Sequence, residues 1–378
     1  FFGLYATLNA DFLLGRCADS VISGEYEAPL LALVEALDRG APAETVPLVG
    51  TRTRPAPPAL APAPEPLRLV PPARDGLPAL RSYAGLERDG VIVPVGYVET
   101  TRGCHHECRH CPIPPIYGGR FVVTPREVVL ADARAQIAAG ARHLTFGDPD
   151  FFNGPGHGLR IARALRTEFP FLTFDATIKI EHLLQHRARL PELAELGCAF
   201  VVSAVESVNP TVLAKLAKGH TPADVETALA SLDAVGVPMR PSLMPFSPWE
   251  TLASYLDLLR FVVRHDLIEC IDPVHYSIRL LVPPGSLLLA DPAHGAWLGE
   301  LDAANFTYRW RHPDPRMDDL QAAVGRIAED ATASGEPAAT TFGRIWAAAH
   351  AAAGEPAPPA AAPGRRPRPP RLTESWFC

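Results

Sequence analysis

Residues 91–112 read VIVPVGYVETTRGCHHECRHCP, an apolar run of strand character that leads into three cysteines and three histidines within eight positions. The segment TPREVVLADARAQIAAG that follows has helical character and stops at Gly140, and RHLTFGD returns as a strand. The same beat continues through the strands FLTFDATI, CAFVVSAVES, VPMRPSL and PVHYSIRLL, separated by the helices GHGLRIARALRTEF, EHLLQHRARLPELAELG, TPADVETALASLDAVG and SPWETLASYLDLLRFVVRH. Apolar strands alternating with helices predict an α/β fold whose parallel sheet is covered by helices. Six units predict a parallel (β/α)6 partial TIM-type barrel over residues 85–285, with an open doubly wound sheet as the competing arrangement.

Three of these helices open with one chemistry: Thr124-Pro125-x-Glu127, Thr221-Pro222-x-Asp224 and Ser247-Pro248-x-Glu250. A hydroxyl at the N-cap accepts from an early backbone N–H, proline fits where no donor is needed, and an acid three residues on favours the helix N-terminus. Gly140, Gly197 and Gly236 punctuate helix ends, where a left-handed residue is wanted.

Outside the beat, residues 1–40 read as a strand-like FFGLYATL, a short apolar piece and a helix, YEAPLLALVEALDRG, with Leu30, Leu33, Val34 and Leu37 on one face. They predict the truncated remnant of an α/β unit. Residues 41–80 hold most of a proline- and alanine-rich run expected to be a linker, residues 286–350 predict a helical C-terminal extension, and residues 351–378 a Pro/Arg-rich tether ending in LTESWFC.

A net charge of -7 gives no electrostatic ground for nucleic-acid binding or attachment to a membrane surface. No apolar stretch reaches the ~18 residues that a spanning helix needs, so a cytoplasmic protein is expected. Of 35 basic residues only Lys179, Lys215 and Lys218 are lysine, a bias that reads as genomic composition. The seven cysteines form no even, spread framework, which points to metal ligation in a reducing compartment rather than disulfides.

The chemistry therefore rests on Cys104-x3-Cys108-x2-Cys111. Zinc wants four ligands, and His105, His106 or His110 could complete such a site, although ligands so close in sequence rarely wrap a tetrahedron. Three thiolates from one loop suit a 4Fe-4S cluster, leaving one iron open to bind a further molecule. In a parallel barrel the functional groups stand at the C-terminal strand ends. Those ends carry Glu99 and Thr100, then Gly147, Asp148 and Asp150, then Lys179, then Glu206 and Ser207, with Arg240 on the fifth strand and His275 and Arg279 on the sixth.

Cys-x3-Cys-x2-Cys after the first strand of a β/α series resembles the radical S-adenosylmethionine (radical SAM) superfamily. The resemblance implies a 4Fe-4S cluster on Cys104, Cys108 and Cys111, whose open iron chelates S-adenosylmethionine and whose electron cleaves it to a 5′-deoxyadenosyl radical. His110 stands where the superfamily usually has an aromatic residue. By the same resemblance Gly147 and Asp148 fall where the amino group of S-adenosylmethionine binds, with GDP in place of the usual Gly-Gly-Glu, Glu206 falls where the ribose hydroxyls are met, and Arg240 is the candidate for the methionine carboxylate. It also implies an electron donor such as flavodoxin or ferredoxin and a small-molecule or peptide substrate that the sequence does not name. Residues 1–40 resemble the end of a cobalamin-binding domain, so a cobalamin-dependent radical methyltransferase is the alternative within the enzyme class, and a non-catalytic zinc or iron-sulfur protein the alternative outside it. The tail RLTESWFC resembles that of the CUAEP/CCAEP subgroup, in which U is selenocysteine, and implies a redox role for Cys378 with a selenocysteine following it.

Overall fold

The computed structural model describes residues 1–55, 69–359, 366 and 368–373. It divides into two compact units, one made of Phe1–Val70, Arg102–Val122 and Leu281–Trp310, the other of Pro71–Thr101, Val123–Leu280 and Arg311–Cys378.

The larger unit contains the predicted barrel strands. Five parallel strands, β1 (Val91–Val98), β2 (His143–Phe146), β3 (Thr173–Thr177), β4 (Cys198–Glu206) and β5 (Met239–Leu243), stand side by side in chain order. Two antiparallel strands, Gly85–Arg88 and Arg371–Leu372, extend the β1 edge, giving seven strands in a curled partial barrel. Between the strands run α1 (Arg126–Ala138), α2 (Pro155–Glu168), α3 (Ile180–Gln185), α4 (Leu190–Glu195), α5 (Pro210–Lys215), α6 (Pro222–Asp233) and, after β5, α7 (Leu252–Arg264). Leu144, Phe146, Ala176, Val201 and Met239 point outward against Leu130, Leu159, Leu229 and Leu259 of the helices, and all of them are buried. Because side chains alternate along a strand, the opposite set faces the lumen, where Val95, Leu86 and Phe200 form their own small cluster.

The sixth strand is not formed. Within PVHYSIRLL, Pro273–Tyr276 is a 3-10 turn, and the only ladder contact described is a single parallel bridge between Phe246 and Arg279. Proline at the start of the turn supplies no ladder donor, and the Tyr276 ring is buried against Phe342 instead of standing on a pleat. The cap chemistry held once in three. Thr221 and Asp224 form a reciprocal capping box. The helix after Pro125 begins at Arg126 without a side-chain cap, and that after Pro248 begins four residues late, at Leu252, where Thr251 and Ser254 make the box instead.

The expected C-terminal extension divides. Helices α8 (Pro315–Ser334) and α9 (Ala338–Ala353) bury Leu320, Val324, Phe342, Ile345 and Trp346 in the barrel's helical core. Residues 281–310 belong to the smaller unit and contain an antiparallel pair, Leu298–Asp302 with Thr307–Trp310. Also in the smaller unit, FFGLYATL is helical (Leu4–Leu8) rather than a strand, because a short apolar run fits either period. Strands Ser20–Ile22 and Val49–Thr51 pair antiparallel there, so the folded part reaches eleven residues into the expected linker. Helix Glu27–Asp38 buries Leu33 and Ala36 but leaves Val34 and Leu37 exposed, a face turned from the one expected. Among the described residues no helix is long and apolar enough to cross a membrane.

Candidate functional site

In the smaller unit the thiol loop is an irregular segment between two short strands, Thr101–Gly103 and Phe121–Val123. Gly103 opens it at φ +83, and a Cβ there would lie 2.6 Å from the Tyr117 ring and 2.7 Å from the Arg120 carbonyl, so the turn needs glycine. Arg102 is held by Glu25 (3.2 Å) and Glu27 and lies over the Tyr26 ring, and the Tyr117 hydroxyl donates to Glu25 (2.8 Å). Ser286 donates to the Arg109 carbonyl (3.1 Å), which fixes the loop between its second and third cysteines. The N-terminal residues thus brace the backbone of the cysteine segment.

Cys104, Cys108 and Cys111 form no disulfide among the described residues, the middle one is buried and its neighbours half-buried, and the Cys111 N–H donates to the Cys108 carbonyl (3.1 Å) in a tight turn. Burial and then the nearby Cys111 sulfur charge raise the Tyr5 hydroxyl's pKa. Three cysteine sulfurs on one braced loop are a soft donor set that fits an iron-sulfur cluster. The other described cysteines are unsuited to ligation: Cys198 and Cys270 are buried in the barrel core, where desolvation raises the first far above its usual range and the second to about 11, and Cys17 is remote in sequence.

In the larger unit the parallel strands bring Glu99, Gly147, Lys179 and Glu206 to one rim. Gly147 sits against Tyr97: a Cβ would overlap the ring at 1.9 Å, and the Tyr97 hydroxyl donates to the Gly147 carbonyl (3.3 Å) and to Glu99 (3.1 Å). Glu206 ends β4 with φ +65, at a break in the β4–β5 register that pairs Ser242 with Ala204 but Leu243 with Glu206. A non-glycine residue held there is a strained position of the kind found at ligand sites. Lys179 is bound to Glu181 (2.9 Å).

Other sequence candidates are committed elsewhere. Asp148 is buried, and its carboxylate accepts from the Thr100 N–H (2.9 Å) and the Thr100 and Thr101 hydroxyls (both 2.6 Å). Burial outweighs those donors and pushes its pKa up to about 6. Arg240 lies three residues before the end of β5, on the order of 10 Å below the rim at strand spacing. There it pairs with Asp272 (2.6 Å) and donates to the Pro370 carbonyl (3.4 Å), so its fork is already used. His275 is buried with its pKa lowered by desolvation, its Nδ1 accepting from the Leu243 N–H (3.4 Å), and Arg279 is paired with Asp318 of α8 (2.5 Å). Cys378 lies outside the described residues.

Sequence reasoning passed over Tyr97 and Gln136. Gly85–Arg88 pairs with β1 only as far as Pro94, and beyond it the side chain of Gln136 takes the place of a strand, accepting from the Tyr97 N–H and donating to the Tyr97 carbonyl, both at 2.8 Å. A cavity of about 520 Å³ opens there, lined mainly by Leu80, Tyr83, Val95, Tyr97 and Leu372.

The sequence pattern of the Radical SAM superfamily matches residues 98–262. An uncharacterized methyltransferase of Pyrococcus horikoshii is 26% identical over 78% of this chain and 61% of its own length, and the hopanoid C-3 methylase of Methylococcus capsulatus is 26% identical over 70% and 48%. The chain thus spans about half to three-fifths of these relatives. The solved structure of the cobalamin-dependent S-adenosylmethionine radical enzyme OxsB, with aqua-cobalamin and S-adenosylmethionine bound, superposes with a TM-score of 0.65 over 88% of this chain and 53% of that one, a likeness of fold at 14% identity. Residues 98–262 are a domain of the radical SAM superfamily, whose cofactors are a 4Fe-4S cluster and S-adenosylmethionine.

Proposed function

We propose that the protein is a radical SAM enzyme acting on a substrate yet to be identified. The observation that carries this is the set of three cysteines, Cys104, Cys108 and Cys111, on one braced loop that follows the first strand of a parallel β/α series. When bound, the cluster supplies the electron that splits S-adenosylmethionine into methionine and a 5′-deoxyadenosyl radical. Cys104, Cys108 and Cys111 hold it as thiolates. The Gly147 carbonyl accepts from the amino group of S-adenosylmethionine, Tyr97 packs beneath it and Glu206 receives the ribose hydroxyls. Asp148 serves indirectly, pinning Thr100 and Thr101 where the chain enters the cysteine segment. A reductant such as flavodoxin or ferredoxin is required.

A second reading is cobalamin-dependent methyl transfer, supported by a fold shared with a cobalamin-dependent enzyme along most of the chain. Resemblance to the CUAEP/CCAEP subgroup adds a redox role for Cys378, tested by whether Cys378→Ser loses repeated turnover while retaining a first one.

Anaerobic reconstitution tests the main reading. About four irons per chain and 5′-deoxyadenosine formed under a strong reductant are expected, both lost in Cys108→Ala. Bound zinc, or intact S-adenosylmethionine after reduction, would remove the proposal.

A further inference from the structure

The loop Lys218-Gly219-His220 has no part in the site described so far, yet it folds back onto the end of β4. The Lys218 N–H donates to the Leu213 carbonyl (3.0 Å) as α5 ends. Gly219 follows at φ +71, where a Cβ would lie 2.5 Å from the Glu181 carboxylate, so the chain passes only as glycine. His220 Nε2 then donates to the Val205 carbonyl (3.3 Å), tying the loop to the residue before Glu206. Burial, and next the charge of Lys218, hold the His220 pKa down to about 4, so the ring is neutral at pH 7 and serves as a donor with a fixed tautomer.

These anchors bring Lys218 Nζ to 3.3 Å from Glu206 Oε1, with side chains only 4% and 11% exposed. Burying such a pair costs desolvation of both charges, and removing one partner strands the other at a further cost. Composition supplies an independent argument. All three lysines of this arginine-rich chain fall between residues 179 and 218. A compact ammonium, not a planar guanidinium, is the cation this chain sets against Glu206.

We propose that Lys218 is a positioning residue that fixes and charge-balances the Glu206 carboxylate for the ribose hydroxyls of S-adenosylmethionine. This rests on the ribose role proposed for Glu206. Lys218 touches neither cofactor nor substrate, and it acts through the carboxylate alone.

The test is equilibrium dialysis on reconstituted holoenzyme, using S-adenosylmethionine and its analogue lacking both ribose hydroxyls. Lys218→Met and Glu206→Gln should each raise the Kd for S-adenosylmethionine about tenfold, the scale of one hydrogen bond to a charged group. The double variant should bind no more weakly than Glu206→Gln, and none of the three should alter the Kd of the analogue. An unchanged Kd in Lys218→Met beside a weakened Glu206→Gln overturns this proposal and leaves the ribose role standing, whereas an unaffected Glu206→Gln overturns both. Equal losses for S-adenosylmethionine and the analogue in Lys218→Met mean general disruption and overturn it as well. Should Lys218→Met fail to fold, the double variant, which strands no carboxylate, carries the test: affinity equal to that of Glu206→Gln supports the coupling, and a further tenfold loss refutes it.

Discussion

Asp148→Asn should abolish a pH dependence of stability that this one carboxylate creates. Two effects oppose each other at Asp148: burial disfavours its charge, while Thr100 and Thr101 offer two hydroxyls and backbone N–H groups to it, and burial wins, taking the pKa from 3.8 to about 6. The folded protein therefore keeps a proton that the unfolded chain has already lost between those values. Stability from this group is fully present below pH 3.8 and is lost as pH rises through about 6, by about 3 kcal/mol in all. Asparagine has no charge to bury, its oxygen can accept from the Thr100 N–H, and the threonine hydroxyls can rotate to accept from its amide. Urea unfolding of both proteins at pH 4.5, 6 and 7.5 gives the difference directly, and other titrating groups cancel in it. The wild type should lose about 1.5 kcal/mol to Asp148→Asn between pH 4.5 and 6, and only about 0.4 kcal/mol more by pH 7.5. A flat difference would refute the burial argument, and one running the other way would mean that the donors win and the carboxylate is stabilised as an anion.

Four further variants test local geometry. Thr221→Ala removes a capping box and should cost about 1 kcal/mol of unfolding free energy, whereas Ser247→Ala deletes a buried hydroxyl with no partner among the described residues and should change stability by less than about 0.5 kcal/mol. Leu259→Ala, in the helical layer over the sheet, should cost about 3 kcal/mol in the same measurement because the buried site cannot collapse fully. Gly147→Ala drives a methyl into the Tyr97 ring and should weaken S-adenosylmethionine binding in dialysis by tenfold or more while lowering stability by about 1–3 kcal/mol. Retained affinity would count against a role for the Gly147 carbonyl.

The parallel strands were legible because strands covered on both faces read as unbroken apolar runs, and the helices between them carry glycine stops. The cysteine segment was legible because its chemistry lies within eight residues. What the sequence did not disclose depended on distant partners. Asp148 and Arg240 have the right side chains for a ligand, but Thr100 is 48 residues from one and Asp272 is 32 from the other, and no local pattern announces either contact. Ser247 resembled a cap until Thr251, four residues on, met a side chain at Ser254 that returns the bond. PVHYSIRLL has the composition of a strand, yet its proline and its buried tyrosine favour a turn. Lys218 was in plain view, and its signal was the rarity of lysine, which composition alone explained away.

The side chain of Gln136 has a consequence for the life of this protein in a crowded solution. A half-barrel that stops short of closure leaves part of its β1 margin unpaired, and an unpaired margin is a template on which another chain can add a strand. The Gln136 amide engages both backbone groups of Tyr97, with Arg74 sharing the carbonyl (3.2 Å), so the ladder ends at that point. Gln136→Ala should therefore expose the chain to concentration-dependent self-association through its margin.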